Sequence, residues 1–350
     1  MSRTAPETPP ADARDAADAA DAAHAADTAA DDLAWLAGLG RPVRRVDSLS
    51  GDVSPRRYTR VEFAGGGTAI LATYPPEVRE VCARFVRTSE LLTTAGVPVP
   101  RILAADCEGG RMLLEDLGLQ TLADCKDRPW SELTLSFERA VELGRRIAGL
   151  PVESAAALSP VLGREALRRE LQQTWDLFLA PRGLTGGARL TAALSTALDE
   201  ICARLGEGPL APCHRDFMSR NLMPVDARGG VAVLDHQDLR LGPAAYDLAS
   251  LLNDTLFPPP AIEDALLAAV LPGLPPEIGR TGYHRAAAQR TLKAVGTYTA
   301  FSLRGANRHL PLIAPTLARC LAHLERIPEG EALAGDLGLV WRPVLEPVAV

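Results

Sequence analysis

The sequence predicts an α+β protein with a small β-rich N-terminal lobe and a larger, mostly helical C-terminal lobe. Strand and turn signals crowd residues 43–75 and 101–115 around one long helix, and helical spacing takes over from Leu119 onward. At 350 residues, 47% hydrophobic and 23% charged, the chain is long enough for two lobes and ordinary for a soluble globular protein.

Residues 1–31 form a low-complexity tail whose DAADAADAA run repeats every three residues, so its Asp stripe drifts around any helix. Residues 1–32 hold eight acids against Arg3 and Arg14, a net of −6 out of the chain's −7. The rest is close to neutral and gives no general argument for nucleic-acid binding. Deleting residues 1–30 is therefore expected to leave activity and melting temperature unchanged, because a segment without large apolar side chains buries little. A clear drop in the thermal melt would contradict this.

The N-terminal lobe is expected over 32–115. A short helix at Asp32–Gly38 opens it. Arg57–Phe63 (RYTRVEF) and Thr68–Tyr74 (TAILATY) read as strands around the turn Gly65–Gly67. Apolar Val78, Val81, Phe85, Leu91 and Leu92 mark a helix from about Pro76 to Ala95, which Gly96 ends. Arg101–Asp106 and Arg111–Glu115 follow as strands around Gly109–Gly110. The C-terminal lobe, 116–350, carries helical spacing at Trp130–Leu150, Leu167–Leu179 and Arg189–Leu205. A loop-and-strand segment, Leu210–Leu241, interrupts it before helices at Tyr246–Leu252, Ile262–Leu271, His284–Leu303 and Pro315–Glu325.

No run of 18 apolar residues occurs, which argues against a membrane span, and the N-terminus lacks the basic start and apolar core of a secretory signal. The six cysteines are scattered with no CxxC pair, as expected of thiols in a reducing cytoplasm rather than of a zinc site or a disulfide framework.

The chemistry concentrates in His214-Arg215-Asp216, then Asn221, then Asp235 after the apolar strand Val231–Leu234. Asp216 and Asn221 are five apart, and the fourteen residues from Asn221 to Asp235 suffice for a hairpin through Asp226–Gly230. Phosphoryl transfer needs these parts. One carboxylate orients the attacking hydroxyl and accepts its proton, while an amide oxygen and a second carboxylate hold Mg²⁺ against the ATP phosphates. Mg²⁺ prefers oxygen ligands, which Asn and Asp supply. H-R-D-x-x-x-x-N with a following strand that ends in Asp, then Gly242-Pro243 and Tyr246-Asp247, is a specific pattern. Asp247 is expected to start a helix and brace the loop.

On these residues the chain resembles the aminoglycoside phosphotransferase-like kinases, over roughly residues 40–325. The segments LSGDVSPRRYTRV, LLTTAGVPVPRILAAD, MLLEDLG, HRDFMSRNLM, LDHQDLRLGPAAYDLASLLND and QRTLKAVGTYTAF are similar to the bacterial N-acetylmuramate/N-acetylglucosamine anomeric kinases of cell-wall recycling. The resemblance implies a two-lobed, protein-kinase-like fold and transfer of phosphate from ATP to the 1-hydroxyl of a small amino sugar. It implies Asp216 as catalytic base and Asn221 and Asp235 as Mg²⁺ ligands. It also implies a phosphate loop at Ser50–Tyr58, with Ser50, Gly51, Asp52 and Ser54 in it, and a hinge at Leu114–Leu117 whose backbone, at Leu114, Glu115 and Leu117, meets adenine. Gln237 and Asp238 would face the acceptor sugar. Other readings stay open: a kinase of an aminoglycoside, choline or homoserine within the same fold, or a nucleotide-binding pseudokinase.

The chain departs from the general kinase pattern at one position. It has only Lys126 and Lys293, so the third-strand lysine that meets the α- and β-phosphates is missing, and Ala72 or Thr73 stands near its place. The P-loop motif GxxxxGK[ST] is absent as well. Arg57, or failing that Arg56, is the expected substitute. For the acceptor, residues 280–326 carry eight basic side chains and one acid, a wall that repels a polycation. Arg290 and Lys293, three apart on a helix, are placed to grip the lactyl carboxylate of N-acetylmuramate. Trp175, in a helix, is a candidate for stacking on the sugar ring.

Overall fold

The chain is described here by a computed structural model, which covers residues 30–49, 55–226, 228–273 and 278–346. The tail up to residue 29 and the loop residues Ser50, Gly51, Asp52 and Ser54 lie outside the described residues. The chain divides into two compact units, Met1–Arg79 with Ile102–Asp116, and Glu80–Arg101 with Leu117–Val350.

The first unit is built on the alternating segments. Helix α1 (residues 30–38) takes in the last two residues of the expected tail. Strands β1 (Val43–Leu49), β2 (Arg57–Phe63), β3 (Thr68–Thr73), β4 (Ile102–Asp106) and β5 (Arg111–Glu115) form an antiparallel sheet in the order β1-β2-β3-β5-β4. Alternation gives the sheet two faces. Val61 and Phe63 of β2, Ala69 and Leu71 of β3 and Leu113 of β5 pack with Leu36 and Trp35 of α1. Asp32 of α1 continues that face with polar contacts, accepting from Thr73 Oγ1 at 3.1 Å and Arg111 Nε at 2.9 Å. Gly110 opens β5 with φ +73°, and a Cβ there would stand 2.3 Å from the Tyr74 carbonyl, so only glycine fits.

The second unit begins with most of α2 (Arg79–Thr94), which the sequence reading grouped with the strands. Its buried face meets His236: Phe85 lies 4.2 Å from the imidazole, centroid to centroid, and Thr88 Oγ1 and Ser89 Oγ share hydrogen bonds with the two ring nitrogens at 2.7 and 3.3 Å. Helices α3 (Trp130–Ala148), α4 (Val152–Ala156), α5 (Arg164–Thr174) and α6 (Ala188–Gly206) follow. Two short antiparallel pairs come next, β6 (Leu210–Cys213) with β9 (Arg240–Pro243) and β7 (Leu222–Pro224) with β8 (Val231–Val233). Helices α7 (Tyr246–Leu252), α8 (Pro260–Val270), α9 (Gly279–Leu303), α10 (Ile313–Leu324) and α11 (Pro328–Leu345) complete the unit. The sequence reading stops at Glu325 and misses α11, whose Trp341 is fully buried and donates its indole N–H to the Leu184 carbonyl at 2.9 Å.

Helix α9 comes unusually close to α5. A Cβ on Gly296 would lie 2.2 Å from Thr174 Oγ1, and that hydroxyl donates to the Leu292 carbonyl at 2.9 Å. This contact sets the depth at which the α9 side chains one turn earlier enter the site. Cys125, Cys202, Cys213 and Cys320 are free and buried. Cys82 and Cys107 are disulfide-bonded, which corrects the expectation of thiols there. Among the described residues no helix is long and apolar enough to cross a membrane.

Candidate active site

The site grows out of the loop between β6 and β7. Asp247, in the first turn of α7, accepts the backbone N–H of His214 at 2.6 Å and of Arg215 at 3.0 Å, so it braces the loop as its sequence position suggests. Burial raises its carboxyl to about 6, against the pull of His214 and the two amides. His214 packs inward and shares a hydrogen bond with the Leu234 carbonyl at 2.8 Å. Arg215 takes φ +77°, a strained value for a residue other than glycine, and the turn it makes presents the next residue, Asp216.

Asn221 donates from Nδ2 to the Asp216 backbone carbonyl at 2.8 Å, which directs its amide oxygen the other way. The β7–β8 hairpin then returns the chain, and Leu234 N–H donates to the Asn221 carbonyl at 2.8 Å. Asp235 follows with φ +57°, in the left-handed region, and Gln237 Nε2 donates to its Oδ1 at 2.9 Å. An amide oxygen and a carboxylate thus come from the two ends of one hairpin. These hard oxygen donors fit Mg²⁺, which takes one or two protein oxygens and keeps the rest of its shell from phosphates and water. Among the described residues no group of three His, Cys, Asp or Glu side chains forms a fuller metal cage.

Asp216 is about one-quarter exposed and faces two cations from α9. Arg290 Nη2 and Lys293 Nζ each lie 3.5 Å from its Oδ1. Burial alone would raise its carboxyl, but Lys293, Arg290 and Arg215 outweigh burial and hold it well below the ordinary carboxylate range. Behind them stands Glu170 of α5, which accepts from Arg215 Nη2 at 3.1 Å, Gln289 Nε2 at 3.3 Å and the Tyr246 hydroxyl at 3.4 Å. Glu170 escaped the sequence reading. Its signal was an acid on the buried stripe of α5, three residues after Leu167 and four before Thr174. Asp254 also went unread; it is fully buried, and it pairs with Arg220 at 2.7 Å beside Asn221.

The structure brings Asp216, Asn221, Asp235, Gln237, Arg290 and Lys293 into this one unit's site. Asp238 is turned to Arg215 and Arg240, with ion pairs of 3.4 and 3.3 Å. Trp175 sits in a π-helical turn (Trp175–Leu179) at the end of α5, half-buried against the helical core. The basic stretch of 280–326 is largely compensated: Arg280 pairs with Asp264, Arg319 with Glu263 and Arg285 with Glu329. The expected wall of charge is corrected accordingly, because the acids that offset it lie outside the counted segment, in α8 and α11. In the other unit, Arg57 is exposed at the start of β2, Arg56 precedes it, and Leu114 and Glu115 end β5, with Leu117 just beyond.

Several known proteins are similar to this chain. An N-acetylmuramate/N-acetylglucosamine kinase of Pseudomonas aeruginosa is 35% identical over 284 residues, 78% of this chain and 81% of that protein. One of the same name from Pseudomonas putida is 32% identical, over 73% of this chain and 76% of that protein. Among solved structures, a choline/ethanolamine kinase family protein from Mesorhizobium loti superposes with a TM-score of 0.58 at 20% identity, over 90% of this chain and 99% of that one. That likeness is one of fold, and it bears out the α+β, kinase-like class expected from the sequence. Residues 45–288 match the phosphotransferase enzyme family, APH, and with that match and the relatives above the chain belongs to it.

Proposed function

We propose that the protein phosphorylates the anomeric 1-hydroxyl of N-acetylmuramate and N-acetylglucosamine with ATP, in the cytoplasm, as a step of peptidoglycan recycling. The observation that carries the reading is the hairpin that sets Asn221 against the Asp216 backbone and Asp235 beside it. The names of the relatives supply the acceptor. In this reading Asp216 orients the 1-hydroxyl and accepts its proton. That hydroxyl is more acidic than an ordinary alcohol, so a single carboxylate suffices. Asn221 and Asp235 would hold Mg²⁺, which when bound neutralises charge on the ATP phosphates. The hinge backbone at Leu114, Glu115 and Leu117 would take the adenine. Gln237 steadies Asp235 and Asp238 steadies Arg215, so both shape the acceptor end through their neighbours. Magnesium-dependent ATP consumption against a panel of sugars, choline, homoserine and kanamycin tests the reading. Turnover with the two amino sugars supports it, and turnover with kanamycin alone contradicts it.

In this reading strand parity favours Arg56 over Arg57 for the ATP phosphates. Arg57 shares the β2 face of Thr59, Val61 and Phe63, which α1 covers, and it pairs across the sheet with Thr73, itself bonded to Asp32 of α1. Arg56 shares the opposite face with Tyr58, its guanidinium 5.8 Å from that ring. In this reading the face that packs against α1 at Val61 and Phe63 is the less available to a nucleotide. Arg56→Ala is therefore expected to raise the KM for ATP or lower turnover by an amount worth about 1.5–3 kcal/mol, and Arg57→Ala to do much less. Steady-state ATP kinetics of the two variants decide it.

Arg290 Nη2 lies 3.5 Å from the Asp216 carboxylate, and its Nε donates to Ser250 Oγ at 3.1 Å. Arg290→Ala is expected to lower kcat/KM more for N-acetylmuramate, with its lactyl carboxylate, than for the neutral sugar. Equal losses on both sugars would remove Arg290 from acid recognition.

A further inference from the structure

We propose that Lys293 is a catalytic residue whose ammonium contacts the phosphoryl group in transfer, supplying from α9 a cation that this chain lacks on its third strand. The inference rests on Asp216 being the proton acceptor for the acceptor hydroxyl.

Of the chain's two lysines, Lys126 is exposed, whereas the Lys293 side chain is only 13% exposed. An ammonium is kept out of water at a cost unless charges compensate it, and here Asp216 Oδ1, at 3.5 Å, and Glu170 do so. The helix that carries it is held in place. The close approach of α9 to α5 at Gly296 and the Thr174–Leu292 hydrogen bond fix the backbone on the next turn. Arg290 touches the same carboxylate oxygen but is held by Ser250 and lies deeper, its side chain 5% exposed. Lys293 is the more open of the two, and its compact head has further donors to direct at a bound group.

A hydroxyl poised for proton transfer sits about 2.6–3.2 Å from the carboxylate. An ammonium 3.5 Å from that carboxylate oxygen shares its neighbourhood with the hydroxyl, and the proposal sets it against the phosphoryl group that the hydroxyl attacks. In the step, the hydroxyl proton passes to Asp216 and an O–P bond forms to the γ-phosphorus. The bond from that phosphorus to the β–γ bridging oxygen breaks, and its electron pair leaves with ADP. Lys293 forms no covalent bond. Negative charge spreads over the phosphoryl oxygens in this transfer, and a fixed cation in a poorly hydrated site stabilises it without reorganising. A residue in that role serves every acceptor alike, whereas a residue that reads a carboxylate serves only the acid sugar.

The two sugars therefore separate the roles. Lys293→Met is expected to lower kcat about 10²-fold on both by the same factor, with the sugar KM nearly unchanged, and Lys293→Arg to recover part of the loss. The rate ratio of ATP to its γ-thio analogue should shrink in Lys293→Met, because the lost contact is to the γ-phosphoryl oxygens. If Lys293→Met does not fold, the same ratio measured in Lys293→Arg, where the donor geometry changes, carries the test. A loss confined to N-acetylmuramate, an unchanged kcat, or an unchanged thio ratio would overturn the proposal. Asp216→Asn, assayed alongside, reports separately on the proton acceptor: full turnover there would overturn the underlying reading rather than the role of Lys293.

Discussion

Asp216→Asn is expected to cut turnover by about 10²–10⁴-fold on every acceptor while leaving a folded protein. The substitution keeps the shape of the side chain and removes its charge, so the hydroxyl loses both its proton acceptor and half of its orienting group. The arrangement around it survives the change. The loop is braced from behind by Asp247 through the His214 and Arg215 amides, and Asn221 bonds to the residue 216 backbone rather than to its side chain. Glu170 remains to offset the charge of Lys293. Circular dichroism with steady-state kinetics separates loss of chemistry from loss of fold, and near-normal turnover in the folded variant would remove Asp216 from the mechanism.

Asp235→Ala is expected to be at least as damaging. In the proposed reading the carboxylate is one of two oxygen donors for Mg²⁺, and Gln237 would lose the acceptor for its Nε2. The backbone adds a smaller cost, because residue 235 sits at φ +57°, where Asp is better tolerated than Ala. Turnover followed across a magnesium titration reads the effect. The variant should stay nearly inactive at magnesium concentrations that saturate the wild type, and an unchanged magnesium dependence would take Asp235 out of the metal site.

Much of this architecture was legible because it is local. The hairpin of β2 and β3 follows from alternation around a glycine turn, and the spacing from Asp216 through Asn221 to Asp235 is set by one loop and one short hairpin. What stayed hidden depends on partners distant in sequence. Helix α11 reads poorly because Gly330, Gly335, Gly338 and Pro343 interrupt it, and it is held by burial of Trp341 in a core made by earlier helices. The basic run of α9 and α10 reads as a charged wall until Asp264, Glu263 and Glu329 meet it from other helices. Glu170 gains its meaning only when α5 meets Arg215 and Gln289. The preference proposed for Arg56 over Arg57 rests on the strand register, since one residue of shift exchanges the two faces of a sheet.

The position of phosphate on the product tests the central claim most directly. Purified protein with ATP, Mg²⁺ and either N-acetylglucosamine or N-acetylmuramate should give a sugar phosphate whose phosphorus couples to the anomeric proton in a phosphorus–proton correlation spectrum. A product blocked at position 6 with a free anomeric centre, or an aminoglycoside phosphorylated in preference to both sugars, would contradict it.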